Sequence, residues 1–286
     1  MTHLLSKEGR RALRALTTRS ILYAFDFDGT LAPISPNRDN VQIPPSINEW
    51  IKELAKRAPC AIVSGRALAD LASRINGTVP YLIGNHGIES CLTSAPTLLW
   101  AEGICQGWKR DLSIRFAQSL TDLGVEVEDK RYSLTLHYRG VTEPNRVHMA
   151  LLLLLRQLLP EPRLIFGKSS INALPPGESG KGPAVLALMV HLRQTSIFFI
   201  GDDETDEDVF ELTEGLAMGV RVGRHDRSRA QYYLNHQGEI EEVIQLLVHL
   251  IDRTSESPDQ GDHRQSAREK PRMINSSSAI DGPKRV

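Results

Sequence analysis

Asp26 and Asp28 stand one residue apart at the end of an apolar run, Leu22, Tyr23, Ala24, Phe25 and Phe27, immediately before Gly29-Thr30. Two carboxylates so close repel, and at a strand tip they imply a bound cation, a shared proton or both. Gly29 permits the tight turn and the close approach of backbone to a ligand that such a site needs. A short apolar run beside glycine is the pattern of an interior strand of a parallel sheet, and ligands bind beyond the carboxyl ends of such strands. Taken alone, Asp-x-Asp-Gly equally fits a polar strand exit with a solvated turn.

A second acidic stretch, Gly201-Asp202-Asp203-Glu204-Thr205-Asp206-Glu207-Asp208, follows a strand predicted over Ile197 to Ile200. Thr205 with Asp208 is expected to cap the next helix, and acids in a first turn complement the helix dipole. Asp202 and Asp203 precede that cap and need another reason. A calcium loop of the EF-hand type is excluded by the missing glycine and the ligand spacing.

Three shorter signals lie between the acidic stretches. Ser64-Gly65-Arg66 follows the apolar run Cys60 to Val63 and leads into a helix containing Leu68 and Leu71. Free backbone N–H groups and the dipole make such a corner suit an anion, although alone it reads more simply as an N-cap. Gly84-Asn85-His86-Gly87-Ile88-Glu89 follows a third strand, Tyr81 to Ile83, where an isolated histidine would be a turn residue. Lys181 opens a helix with Val185, Leu186, Leu188, Met189 and Leu192 buried, and a lysine there opposes the macrodipole and is better placed to hold an anion. A bare Asp-x-Asp also occurs as the metal motif of nucleotide-sugar glycosyltransferases.

In this order the stretches carry a resemblance. Phe25 to Leu31 resembles the first motif of the haloacid dehalogenase superfamily, whose members mostly transfer phosphoryl groups through an aspartyl phosphate; Ser64-Gly65-Arg66, Lys181 and Gly201 to Asp208 resemble its second, third and fourth. Gly-x-His-Gly-x-Glu at 84–89, and Glu128-x-Lys130 followed by His137-Tyr138-Arg139, are similar to the trehalose-6-phosphate phosphatase branch. The resemblance covers about residues 20 to 251 and disfavours a glycosyltransferase, which has no need of Ser64, Lys181 and Asp202 in this order.

What the resemblance implies is specific. Asp26 would be the nucleophile and Asp28 the general acid and base. Mg2+ would be held by the Asp26 carboxylate, the backbone carbonyl of Asp28 and Asp202, with Asp206 in support. Ser64, Gly65 and Lys181 would bind the phosphoryl oxygens, while Arg66, His86, Lys130, His137, Arg139 and Glu178 would serve the sugar. On composition alone Lys130, His137 and Arg139 are the wet face of an antiparallel strand. The partners implied are a small sugar phosphate and functional coupling to a trehalose-phosphate synthase. One departure touches the sugar: the family usually carries Glu, an aliphatic residue, Lys or Arg, and Pro on the last cap strand, where this chain has Asn172-Ala173-Leu174-Pro175. Another sugar phosphate, such as glucosylglycerol phosphate, sucrose 6-phosphate or a glycosyl phosphoglycerate, is therefore an alternative substrate, and a non-catalytic sugar-phosphate sensor a more distant alternative.

The elements that must position these groups are legible as an α/β pattern: a Rossmann-like parallel-sheet haloacid dehalogenase core with an inserted α+β cap domain. Ser6 to Leu16 reads as a surface helix rather than a removable Arg-rich leader. Ser46 to Glu49 reads as a capping box ahead of Ile47, Trp50, Ile51 and Leu54. From about Ser90 the texture changes: Glu102 to Leu123 and Pro144 to Leu158 read as helices, and Val125 to Val127, Tyr132 to Tyr138 and Arg163 to Phe166 as strands. Leu216 to Val220 is a further strand, Ala230 to Leu234 an edge strand, and Ile240 to Ile251 the last helix. The division is core over 1–89 and 173–252, cap over 90–172, and a disordered tail over 253–286.

Composition bounds the rest. The 286 residues, 41% hydrophobic with a net charge of −1, are enough for one large or two small cores and carry no field that would attract nucleic acid or an anionic membrane. The most apolar stretch, Val147 to Leu159, is too short to span a bilayer. Cys60, Cys91 and Cys105 are scattered without metal-ligand spacing, which points to a reducing compartment, the cytoplasm by default.

Overall fold

The structure is a computed structural model, described here for residues 1–35, 38–177, 179–213, 216 and 218–255. Glu178 and the tail from residue 256 on lie outside the described residues.

In chain order the strands are β1 (Thr2–His3), β2 (Ile21–Asp26), β3 (Cys60–Val63), β4 (Tyr81–Ile83), β5 (Glu126–Asp129), β6 (Leu134–His137), β7 (Arg163–Gly167), β8 (Ser170–Leu174), β9 (Ser196–Gly201), β10 (Met218–Val222) and β11 (Tyr232–Leu234). The helices are α1 (Lys7–Leu16), α2 (Pro45–Ala55), α3 (Leu68–Ile75), α4 (Ala95–Arg115), α5 (Ala117–Asp122), α6 (Pro144–Leu155), α7 (Lys181–His191), α8 (Glu207–Thr213) and α9 (Ile240–Ser255). Seven strands form one parallel sheet in the order β1-β11-β10-β9-β2-β3-β4.

Both faces of that sheet are covered, which is why β2 and β9 are apolar at every turn rather than alternating. Tyr23, Phe25, Phe198 and Ile200 face a core shared with Leu13, Ile47, Ile51, Ile244 and Leu247 from α1, α2 and α9. Leu22, Ala24, Ile197 and Phe199 face the other way, against Val185, Leu188, Val209 and Phe210 from α7 and α8. From β2 the chain steps outward through β3 and β4, then crosses back to β9 and steps outward on the other side. The strand order therefore reverses between β2 and β9, and the crevice beyond their carboxyl ends is the binding place of such sheets.

β5 to β8 form a second, antiparallel sheet in the order β5-β6-β8-β7. One face, Leu134, Leu136, Ile171 and Ala173, packs on Trp108, Leu112, Leu151 and Leu155 of α4 and α6. The period of two in a strand sends Thr135, His137, Ser170 and Asn172 to the opposite face, and all four line the cleft between the two sheets.

Several local expectations are corrected. α2 begins at Pro45, with Pro44 as N-cap and no side-chain cap; Ser46 Oγ instead donates to Glu241 at 2.7 Å. Proline at the first position enters the helix early, ahead of the expected box. The helix expected over Glu102 to Leu123 starts earlier, at the Ser94 cap, and breaks at Phe116 into α4 and α5. Thr205 does not cap: Asp203 does, accepting from Glu204 N at 2.8 Å, and Asp206 completes a capping box. β11 is not an edge, because β1, too short to show periodicity, pairs outside it. α9 continues to Ser255, past the expected start of the tail. Among the described residues no helix is long and apolar enough to cross a membrane.

Candidate active site

β2 and β9 end side by side and deliver the two acidic stretches to one point. Asp26, at the last position of β2, is only 4% exposed. Lys181, buried at the start of α7, places Nζ 2.7 Å from an Asp26 oxygen and 2.7 Å from an Asp206 oxygen. The other Asp206 oxygen accepts from the backbone N–H groups of Asp202 and Asp203, at 2.9 and 3.0 Å. Asp206 thus sits fully buried behind the cleft as a strut that shapes the loop carrying Asp202.

Two glycines allow this crowding. Gly29 has φ +82°, and a Cβ there would collide with the Asp202 carboxylate. A Cβ on Gly65 would strike the His86 ring.

One oxygen from each of Asp26, Asp202 and Asp206 can be chosen so that all lie within 4.8 Å of one another. Burial pushes the Asp26 carboxyl well above the carboxylate range; the Lys181 ammonium opposes this, and Asp206 and Asp202 add to it. Burial, then Asp206, pushes Asp202 up to about 6. Burial works against a charge on Lys181, but Asp206 and Asp26 outweigh it and raise its pKa. One buried ammonium bonded to two of the three carboxylates, with the exposed Lys168 ammonium 3.3 Å from the third, leaves the cluster short of positive charge. The donor set is all oxygen, as a hard divalent cation requires, so the residues fit such an ion.

Asp28 points the other way. Arg66 Nε and Nη2 donate to its two oxygens, each at 2.7 Å, while Arg66 Nη1 donates to Asp70 at 2.8 Å. The guanidinium also lies over the Phe27 ring, 5.4 Å from its centroid. Ser64 Oγ, buried at the end of β3, accepts from Arg66 N at 3.2 Å.

The second sheet closes a cleft of about 960 Å3 over these groups. Lys130 Nζ donates to the carbonyl oxygen of Gly65 at 2.9 Å, so this lysine is locked onto the corner after β3. His137 Nε2 lies 2.8 Å from Glu128 and 2.6 Å from Arg38 Nη1. Arg139 is exposed on the cleft wall. His86 is buried with φ +53° and both ring nitrogens unpartnered; burial, then Lys130 and Lys181, holds its pKa well below the usual value. Its seat is fixed by Asn85, whose amide donates to the Lys130 carbonyl and accepts from Ser133 Oγ at 2.6 Å.

The structure thus gathers Asp26, Asp28, Ser64, Gly65 and Arg66 with His86, Lys130, His137 and Arg139 on one cleft, with Lys181 and Asp202 at its floor. Two basic cleft residues escaped the sequence reading. Arg38 stands in the loop after β2, and Lys168, at the β7–β8 turn, places Nζ 3.3 Å from Asp202. Neither lies in a motif, and their neighbours come from distant parts of the chain. Of the departing pair, Asn172 is on the cleft wall, accepting from Thr135 Oγ1 at 2.7 Å. Leu174 is fully buried with Ile88, Ala101 and Tyr132.

Comparison with known proteins gives this arrangement a family. A family model described as trehalose-phosphatase matches residues 24–237. The chain is 28% identical over 254 residues to the trehalose-6-phosphate phosphatase of Escherichia coli K12, covering 85% of this chain and 92% of that protein. It is 30% identical over 217 residues to the trehalose-phosphate phosphatase of Mycobacterium tuberculosis H37Rv, covering 72% of this chain; it spans 55%, about half, of that relative's length. Among solved structures, the C-terminal domain of a Candida albicans trehalose-6-phosphate phosphatase shares the fold at 22% identity with a TM-score of 0.70, over 87% of this chain and 98% of that one. With the match running from the strand that carries Asp26 to past the last strand of the parallel sheet, the chain belongs to the trehalose-phosphatase family.

Proposed function

We propose that the chain is a Mg2+-dependent phosphatase that hydrolyses trehalose 6-phosphate to trehalose and phosphate, a step of trehalose biosynthesis. The observation that carries this reading is the buried Asp26 carboxylate, bonded to Lys181 and within ligand reach of Asp202 and Asp206, beneath a cleft large enough for a disaccharide. Held by the carboxylates of Asp26 and Asp202 and the backbone carbonyl of Asp28, with Asp206 in support, Mg2+ would supply neutralisation of phosphoryl charge.

Asp26 attacks phosphorus in line, the bond from phosphorus to the sugar oxygen breaks, and an aspartyl phosphate forms. Asp28 gives its proton to the departing sugar oxygen. It then takes one from the water that attacks phosphorus, which releases phosphate and restores Asp26. Ser64 Oγ, the Gly65 N–H and Lys181 bind the phosphoryl oxygens. Because Arg66 occupies both Asp28 oxygens here, Asp28 exchanges one of those bonds to reach the ester.

The α+β unit acts as a cap, 90–172 in the sequence division with its sheet running to Leu174, over a core of 1–89 and 173–252. It excludes water and carries Arg139, His137 and Lys130 to the sugar. A cytoplasmic location and coupling to a trehalose-phosphate synthase belong to the same reading; unpaired Cys60, Cys91 and Cys105 support a reducing compartment.

Phosphate release with Mg2+ from trehalose 6-phosphate, beside glucose 6-phosphate, sucrose 6-phosphate and glucosylglycerol phosphate, tests the reading with Asp26→Asn as the blank. Strong preference for trehalose 6-phosphate is expected. Preference for another ester, which Asn172 on the cleft wall would accommodate, keeps the chemistry and moves the substrate; no release from any of them overturns the enzyme.

A further inference from the structure

Arg38 belongs to none of the motifs, yet it joins the two halves of the cleft. It opens a single turn, Arg38–Asn40, in the loop that follows the catalytic strand. Its side chain crosses to the second sheet, where Nη1 donates to Glu128 at 3.1 Å and lies 2.6 Å from His137 Nε2, and Nη2 donates to Glu126 at 3.0 Å. Its carbonyl oxygen accepts from Arg66 Nη2 at 3.0 Å, the same guanidinium that holds Asp28. One residue is therefore bonded through its backbone to the group that orients the acid and base, and through its side chain to the cap strands that face the sugar.

The chemistry of the contact needs an arginine. A planar fork of donors can meet two carboxylates at fixed angles, whereas an ammonium acts as a point charge. Glu128 responds to this setting: although burial opposes ionisation, His137, Lys130 and Arg38 hold its carboxyl down to about 2. The cluster remains an ion pair throughout the neutral range.

We propose that Arg38 is a positioning residue for the sugar half of the substrate, drawing Glu128 and His137 of the cap over the leaving group and fixing their orientation. The proposal rests on the phosphatase reading above and adds to it which residue sets the cap against the sugar.

The test compares Arg38→Ala and Arg38→Lys with the unaltered chain on trehalose 6-phosphate and on p-nitrophenyl phosphate, which has no sugar. Amide hydrogen exchange over 126–137 is followed in the absence of substrate, and Asp26→Asn serves as the blank. Expected for Arg38→Ala is a loss of about tenfold or more in kcat/KM on trehalose 6-phosphate, carried mainly by KM, with p-nitrophenyl phosphate hydrolysis within about twofold of the unaltered chain. Exchange over 126–137 should rise, and Arg38→Lys should recover only part of the loss. Equal losses on both esters, or no loss on the sugar ester, overturn the proposal. If the unaltered chain hydrolyses p-nitrophenyl phosphate in an Asp26-dependent way but not trehalose 6-phosphate, the substrate reading fails separately. Arg38 is then judged on the sugar ester the chain prefers and by the exchange, where unchanged protection in Arg38→Ala overturns it.

Discussion

Lys181 Nζ lies 2.7 Å from Asp26, and both side chains are buried at the carboxyl end of the central strand. The ammonium is shared with Asp206, so it compensates only part of the negative charge gathered there. Burial and the neighbouring acids leave the Asp26 carboxyl raised well above its usual range. The fold thus holds, at the proposed nucleophile, a carboxyl whose ionised form is disfavoured until positive charge arrives. Asp26→Asn should abolish phosphate release, by at least about a thousandfold, while thermal melting stays equal to or above that of the unaltered chain. Retained turnover in a folded Asp26→Asn protein would exclude Asp26 as nucleophile.

Asp202 makes the same strain visible in stability. Its folded carboxyl, near 6 against an ordinary 3.8, binds more protons than the unfolded one between those values. Where the native state binds more protons, stability falls as pH rises. Without metal, the protein should therefore lose stability between about pH 4 and pH 6, by up to about 3 kcal/mol from Asp202. Mg2+ should recover it at pH 7 by binding only the folded state. Melting temperatures with Mg2+ and with a chelator check this. Asp202→Asn should flatten the decline and abolish the Mg2+ response, and chelation should abolish turnover of the unaltered chain.

Much of this site was legible because its residues sit beside strand ends that the sequence marks clearly. Asp26, Ser64 and Asp202 each follow an apolar run, and their convergence follows from parallel strands with a switch point. Arg38, Glu126 and Lys168 were not legible, since their partners lie far away in sequence and no periodicity or spacing links them. The capping errors have a local cause. Pro44-Pro45 and Asp203 compete for helix starts with Ser46 and Thr205, and proline geometry and the Asp206 strut decide the outcome.

Leu174 shows that a departure from a family pattern can be structural. It has no exposed surface and packs with Ile88, Ala101 and Tyr132 beside the cleft. Leu174→Arg, which restores the family's cation, would bury an unpaired guanidinium among apolar groups. A loss of about 3 kcal/mol or more in unfolding free energy is expected, measurable by denaturant titration. A loss below about 1 kcal/mol would show that the side chain escapes to the cleft and serves the sugar there.

Gly29 is held to its identity twice over, by a φ of +82° and by the Asp202 carboxylate where a side chain would begin. Gly29→Ala should cost about 1–3 kcal/mol in stability and should weaken Mg2+ binding, because Asp202 must move. Calorimetric titration with Mg2+ separates the two effects. Unchanged affinity in Gly29→Ala would show that Asp202 keeps its place by other means.

In the proposed mechanism Arg66 acts on the proton transfers through the pair of 2.7 Å bonds it makes to Asp28. Arg66→Lys keeps the positive charge and loses the fork, so Asp28 is no longer held in one orientation. The two half-reactions feel this unequally, depending on the leaving group. A sugar alkoxide needs a proton as it departs, whereas p-nitrophenolate does not, and the water that opens the aspartyl phosphate must lose a proton with either ester. Arg66→Lys should therefore lower kcat on both esters. On p-nitrophenyl phosphate it should give a burst of one p-nitrophenolate per protein followed by slow turnover, as Asp28→Asn should more strongly. Rapid mixing at high protein concentration reads the burst. A uniform slowing without a burst would place the role of Arg66 in phosphoryl binding rather than in the orientation of Asp28.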